Sequence, residues 1–350
     1  MTQATAAARP ASVGEKTVSK TVAVIGATGA VGAEMLRCLE RSSFPTGTLK
    51  LFASERSVGK HLAFRDGDIE LGALGDDSFD GVDVALFAAE SDISQKYVPI
   101  ATKAGAVVID NSSAFRMDPS VPLVVPEVNG DLITPNRKVY ANPNCVAAIM
   151  AVAMWPLHQA GGLKRIIAST YQSASGAGRP AMDELEEATR AWLKGEAYEP
   201  KVLPHPYAFN LFSHNTTIGA DGYNGEETKV IAEMRKILGL PDLRVGVTCV
   251  RVPVLRAHSM AITAEFTDKL SVEKAREILE KSPGLRVVDD RVRNHFPMPV
   301  ESTGQSDVLV GRIREDLSDP SGHTLALFIS GDQLLKGAAL NAVQIAERLA

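Results

Sequence analysis

Two packed α/β domains are predicted for this chain, one built on a parallel sheet covered on both faces and one on a mixed sheet. Three observations carry that reading. At 350 residues the chain is too long for one typical core. Over residues 20–144, short apolar runs rich in β-branched side chains alternate with helical patterns, the mark of a parallel sheet. Beyond that point the apolar runs lengthen and fewer helices intervene, which suits a mixed or antiparallel sheet.

The elements follow in order. Residues 21–25 form an apolar run ending at Gly26, a buried strand. Residues 30–39 carry a helical pattern and 49–53 a second strand. Further strands fall at 82–88 and 106–110, with a helix over 93–103 between them. The apolar run 146–155 meets no Gly or Pro until Pro156, so it reads as a helix. Longer strands follow at 165–173, 244–252, 259–267, 308–315 and 324–330, with helices over 179–193, 226–238 and 272–281. The last segment, 333–349, is Ala/Leu-rich and amphipathic, and is expected to bury its apolar face on the first domain. The first domain therefore spans 20–144 and 332–350, and the second 145–331. Residues 1–19 are rich in Ala, Thr and Ser without the apolar centre of a secretory signal, and are expected to be a disordered tail. A remnant transit peptide stays open there, although Glu15 and the sparse Arg speak against it.

Composition narrows the function. An apolar content of 45% and a charged content of 23% place the chain among ordinary globular proteins. The net charge is only −5 and no Lys/Arg block stands out, so nucleic acid is not an expected partner. Three cysteines, Cys38, Cys145 and Cys249, fit free thiols in a reducing, cytoplasmic setting. No apolar stretch approaches the roughly 20 residues that span a bilayer, so no membrane is expected. No metal-ligand spacing is present, and none is expected to be bound.

Gly26-Ala27-Thr28-Gly29-Ala30-Val31-Gly32 joins the first strand to the first helix. Glycines there let the backbone turn tightly and approach a pyrophosphate, while the helix N-terminus supplies donors. The strand before it and the helix after it give the context that makes this a dinucleotide fingerprint, and the first domain Rossmann-like. The end of the second strand reads Ala53-Ser54-Glu55-Arg56-Ser57. Arg56, Ser54 and Ser57 suit a ribose 2′-phosphate, so NADP is favoured over NAD, with Glu55 the dissenting residue.

Cys145 ends Asn142-Pro143-Asn144-Cys145 and opens the apolar helix. A helix N-terminus favours thiolate over thiol, and the thiolate is the nucleophile. The plainer reading is a buried small hydrophobe. The Gly/Ser stretch Ser173 to Gly178, with Ser175 and Gly176, ends a strand where backbone could approach a ligand. Arg251 and His258 bring a guanidinium and a titratable imidazole. They stand an odd number of positions apart, so one pocket could hold both only if the chain bends between them, as Pro253 allows. Glu226 and Lys229 share one face of a predicted helix. Arg116 follows a strand end, where ligands gather in open α/β sheets.

Together these pieces resemble the aspartate-semialdehyde dehydrogenase family. The matching stretches are 26–32, 111–116, 142–145, 172–178, 226–229, 251–258 and the C-terminal Asp332-Gln333-Leu334-Leu335-Lys336-Gly337-Ala338-Ala339. The resemblance implies an α+β substrate and dimerisation domain after the Rossmann-like one. It implies Cys145 as nucleophile, Gln172 as the residue orienting the thioester, and His258 as acid/base. Arg251 would pair with the substrate α-carboxylate and Glu226 with the α-ammonium, the neighbouring Glu227 being the alternative. Arg116 and Lys229 would hold phosphate with Asn144 beside them, and Gln333 would sit near the nicotinamide. The implied reaction is reductive dephosphorylation of aspartyl 4-phosphate, with NADPH, on the route to lysine and diaminopimelate, methionine and threonine. A homodimer is implied, with pairing into a homotetramer left open. The alternatives are an N-acetyl-glutamyl-phosphate reductase-like enzyme and a non-catalytic NADP-binding redox sensor.

Overall fold

The protein is described by a computed structural model over residues 18–350, so the expected tail falls almost wholly outside the described residues. The first half contains β1 (Lys20–Ile25), α1 (Ala30–Arg41), β2 (Thr46–Ala53), β3 (His61–Phe64), β4 (Gly67–Ala73), β5 (Val84–Phe87), α2 (Ser91–Lys103), β6 (Val107–Asp110), α3 (Pro126–Asn129) and β7 (Val139–Ala141). These strands form one sheet in the order β3-β4-β2-β1-β5-β6-β7, parallel throughout except for the β3–β4 pair. Every residue of β5 is buried, as a sheet covered on both faces requires. The winding reverses at β1, which lies between β2 and β5. In such sheets a ligand crevice opens at the carboxyl ends of the strands beside the reversal.

The second half contains α4 (Cys145–Gly161), β8 (Leu163–Gln172), α5 (Arg179–Leu193), β9 (Phe212–Ser213), α6 (Gly225–Leu238), β10 (Arg244–Arg251), β11 (His258–Phe266), α7 (Val272–Lys281), β12 (Leu285–Val287), α8 (Pro299–Ser302), β13 (Val308–Glu315), β14 (Thr324–Gly331) and α9 (Leu340–Glu347). Its sheet runs β12-β13-β14-β11-β8-β10-β9 and is mixed: β8 pairs β10 in parallel and β11 antiparallel. Burial alternates along β8, so one face lies in the core while Ile167 and Tyr171 point out. The inner face is covered by α4, α6 and α7.

Two details depart from expectation. Helix α4 does not stop before Pro156; it continues to Gly161 and closes at Gly162, whose φ of 67° is left-handed. Residues Val146 through Met154 are all buried, and that apolar packing outweighs one missing hydrogen bond. The end segment is not one amphipathic helix either. A π-helical turn, Leu335–Ala339, precedes α9 and sinks with it into the core beside α1 and β1.

The halves are tied by Arg256. Its Nε donates to Asp332 Oδ2 and its NH1 to Glu34 Oε1 on α1, both at 2.7 Å. Among the described residues, no helix is long and apolar enough to cross a membrane.

Candidate active site

The thiol is placed by its neighbour. Asn144 caps α4, its Oδ1 accepting from the Val146 and Ala147 N–H groups at 2.9 and 3.3 Å. Its Nδ2 donates to Glu226 Oε1 at 2.9 Å and its backbone N–H to Glu233 Oε2 at 2.5 Å. Residue 144 is thus pinned on three sides, and Cys145 inherits that rigidity. The π turn presses from above: a Cβ on Gly337 would stand 2.8 Å from the Cys145 Cβ. The expected thiolate is not met. Burial, reinforced by Glu226, pushes the Cys145 thiol up to about 12, against the pull of Arg251, Arg116 and the Val146 N–H. The helix start is real, but desolvation of a thiolate is the larger effect.

Helix α6 presents Glu226, Lys229 and Glu233 along one face. Glu226 is 6% exposed, and its Oε1 also accepts from Gln172 Nε2 at 3.1 Å. Burial opposes its charge, yet a proton on His214 when that ring is charged, and at neutral pH the two amide donors and Lys229, hold its carboxyl below the ordinary range. Glu227 is occupied elsewhere. It closes a capping box with Asn224 and accepts from the Cys249 N–H at 3.0 Å. The cleft therefore receives Glu226 and not Glu227. Glu233 pairs with Arg116 NH1 at 3.1 Å, while Arg116 also donates to the Asn142 and Asn111 carbonyls at 2.9 and 2.7 Å.

The bend expected between Arg251 and His258 is a full reversal. Arg251 ends β10, His258 begins β11, and both strands flank β8. Ala257 makes the turn at φ 74°. Arg251 lies opposite Gln172 in register. His258 is fully buried, and its Nδ1 accepts from the Ser173 N–H at 3.0 Å. A backbone N–H can only donate, so a neutral His258 carries its proton on Nε2. That nitrogen has no partner. Burial and the Arg251 charge hold the imidazole well below its usual range. A Cβ on Gly176 would come within 3.0 Å of Nε2, so glycine is what leaves the ring approachable.

These groups meet in a cleft of about 430 Å³. Val31, Arg116, Asn144, Cys145, Gln172, Ser175, Gly176, Glu226, Lys229, Arg251 and Gln333 all line it. His258 does not; it lies behind Gly176. Ser175, Ser173 and Gln333 form a hydrogen-bonded chain to its Nδ1, with Gln333 also accepting from the Ala257 N–H at 2.9 Å. Gly178, at φ 85°, starts α5 outside the lining.

The glycine loop stands at the other end. Gly26 has φ 81°, and a Cβ there would strike the Ala88 carbonyl. A Cβ on Gly32 would strike the Gly26 carbonyl. Thr28 and Gly29 are exposed and Ala30 half-buried at the start of α1. The cap residue Gly29 offers no side-chain bond and the first turn holds no acid, so the N–H groups and dipole remain for an anion. This close-packed cradle fits a dinucleotide pyrophosphate. Ser54 and Arg56 are exposed just past β2, and Ser57 is buried there; none of the three lines the cleft.

Sequence reading missed His214, Thr216 and Glu233, all brought to the site by the fold. His214 follows the two-residue β9, too short to show as a pattern. Glu233 was legible only as the next turn of the Glu226–Lys229 face.

A dinucleotide cradle that opens onto a half-buried cysteine marks an NAD(P)-dependent oxidoreductase of the aldehyde dehydrogenase kind. Residues 21–135 match the NAD-binding domain of semialdehyde dehydrogenases, and residues 154–336 match their dimerisation domain. The chain is 51% identical to aspartate-semialdehyde dehydrogenase of Synechocystis over 94% of its length and 96% of that protein. It is 44% identical to the Bacillus subtilis enzyme of the same name, over 94% and 96%. The crystal structure of Vibrio cholerae aspartate semialdehyde dehydrogenase II complexed with ASA superposes with a TM-score of 0.91, at 41% identity over 95% of this chain and 98% of that one. The chain belongs to the aspartate-semialdehyde dehydrogenase family.

Proposed function

We propose that the protein interconverts L-aspartyl 4-phosphate and L-aspartate 4-semialdehyde through a thioester on Cys145, using NADP. One observation carries this reading: a single cleft runs from Val31 in the glycine loop, past Cys145, to Glu226 and Arg251. Arg251 takes the substrate α-carboxylate with its planar fork, and Glu226 takes the α-ammonium. An ammonium on Glu226 also cancels the charge that, after burial, most opposes the thiolate. Arg116 and Lys229 neutralise the phosphate, and Asn144 lies beside them. The Cys145 sulfur attacks the acyl carbon, its S–H proton leaves with the departing phosphate, and a thioester remains. When bound, the nicotinamide supplies the hydride to that thioester. His258 donates an Nε2–H hydrogen bond, across Gly176, to the oxygen that becomes negative, and Gln172 and Gln333 hold the groups around it.

NADP rather than NAD is supported by Arg56, Ser54 and Ser57 past β2. The cofactor part is taken as 20–144 with 332–350, and the catalytic part as 145–331. A homodimer is supported by the open face of the second sheet, where Ile167 and Tyr171 are exposed. A cytoplasmic setting is supported by the three free thiols.

The test is oxidation of L-aspartate semialdehyde with NADP+ in phosphate buffer. The wild type turns over, and Cys145→Ala does not while retaining cofactor affinity. Turnover by Cys145→Ala would end the covalent reading.

A further inference from the structure

We propose that His214 is a substrate-specificity residue: its imidazole Nε2 accepts a hydrogen bond from the substrate α-ammonium and so selects the aminated substrate. This rests on the reading that Glu226 receives that ammonium.

An ammonium brings three N–H donors and no acceptor. Glu226 cannot satisfy them alone. Its Oε1 already accepts from Asn144 Nδ2 at 2.9 Å and Gln172 Nε2 at 3.1 Å. Among the described residues nothing bonds Oε2, so one carboxylate oxygen is free. The remaining donors need neutral acceptors in the same corner. His214 lines the cleft there with Thr216, Glu226, Lys229 and Arg251, and is only 7% exposed.

The local network fixes which nitrogen is available. Thr216 Oγ1 accepts the Glu226 N–H at 3.0 Å. It lies 3.4 Å from His214 Nδ1 and 3.5 Å from Asn224 Oδ1. An amide oxygen only accepts, so the hydroxyl proton goes to Asn224. The second lone pair of the hydroxyl then takes a proton from His214 Nδ1. That places the lone pair of the imidazole on Nε2.

Charge supports the same assignment. Burial and the Arg251 charge push His214 down to about 4, against the pull of Glu226, with Lys229 adding to the push. At neutral pH the ring is uncharged. A protonated ring would compete with the substrate for Glu226; a neutral one adds an acceptor without adding charge. It also gives no attraction to a carboxylate or phosphate, which leaves those ends to Arg251, Arg116 and Lys229.

The experiment compares two aldehydes in phosphate buffer with NADP+: L-aspartate semialdehyde, and the same four-carbon acid lacking the amino group. His214→Phe keeps a ring and loses the acceptor; His214→Gln keeps an acceptor. For His214→Phe, kcat/KM on the aminated aldehyde falls by about tenfold or more, chiefly through KM, while the deaminated one changes little. His214→Gln retains most of the preference. Should His214→Phe fail to fold, His214→Leu and the retained preference of His214→Gln carry the comparison. Equal loss on both aldehydes, or an unchanged preference in an active His214→Phe enzyme, overturns this role alone. A wild type inactive on aspartate semialdehyde sinks the parent reading instead.

Discussion

At the residue scale, one ion pair, Arg116 with Glu233, stands at the pocket, while among the described residues Arg251 and Lys229 have no carboxylate in salt-bridge contact. Cys145 sits among them as a thiol, because burial and Glu226 outweigh Arg251 and Arg116. Its alkylation by iodoacetamide is expected to be slow at neutral pH and to climb steadily toward pH 10, without a plateau near 7. A neutral plateau would mean the helix start wins after all. Glu233 bears the other burden. It is 1% exposed and holds both the Arg116 guanidinium and the backbone before the nucleophile. Burial raises its carboxyl, and Arg116 and the Asn144 N–H pull against that. Removing it leaves a half-buried guanidinium short of its counter-ion. Glu233→Ala is expected to cost about 3–5 kcal/mol, read as a clear fall in Tm. A Tm unchanged within a degree would show that Arg116 finds another partner.

At the element scale, two strand–helix junctions face each other across the cleft. At the first, Gly32 touches the Gly26 carbonyl so closely that no side chain fits. Gly32→Ala is expected to raise the Kd for NADP more than tenfold, since the turn must open to admit a methyl group. Binding at wild-type strength in a fluorescence titration would remove this loop from the cofactor site. Much of this scale was legible in the sequence. The helices over 179–193 and 272–281 match α5 and α7 residue for residue, because their apolar spacing and flanking breakers are strong. The β3–β4 hairpin was not legible. Its four- and seven-residue strands are half exposed and carry little apolar signal. Cys145, Gln172 and Arg251 could be picked out because each ends or begins an element with a distinctive residue type. His214 and Glu233 could not. Glu233 matters through groups more than 80 residues away in sequence, the Asn144 N–H and the Arg116 guanidinium, and His214 through Arg251, 37 residues on; no local pattern encodes either.

At the scale of the whole molecule, two imidazoles are folded away uncharged. His214 is held near 4 and His258 well below its usual range, both first by burial. Unfolded histidines titrate near 6.5, so between that pH and the folded values the unfolded chain binds more protons. Stability is therefore full above about 6.5 and drains away as pH falls toward 4. Melting curves are expected to show Tm level from pH 7 to 8 and declining from 6.5 downward, less steeply in His214→Phe. A Tm independent of pH across 4–7 would contradict the buried neutral rings. Arg256 acts at this scale too. One guanidinium grips Glu34 on the helix behind the glycine loop and Asp332 beside Gln333. On the proposed reading, the donor and the receiver of the hydride are fastened to a common rivet. Their spacing then belongs to the frame.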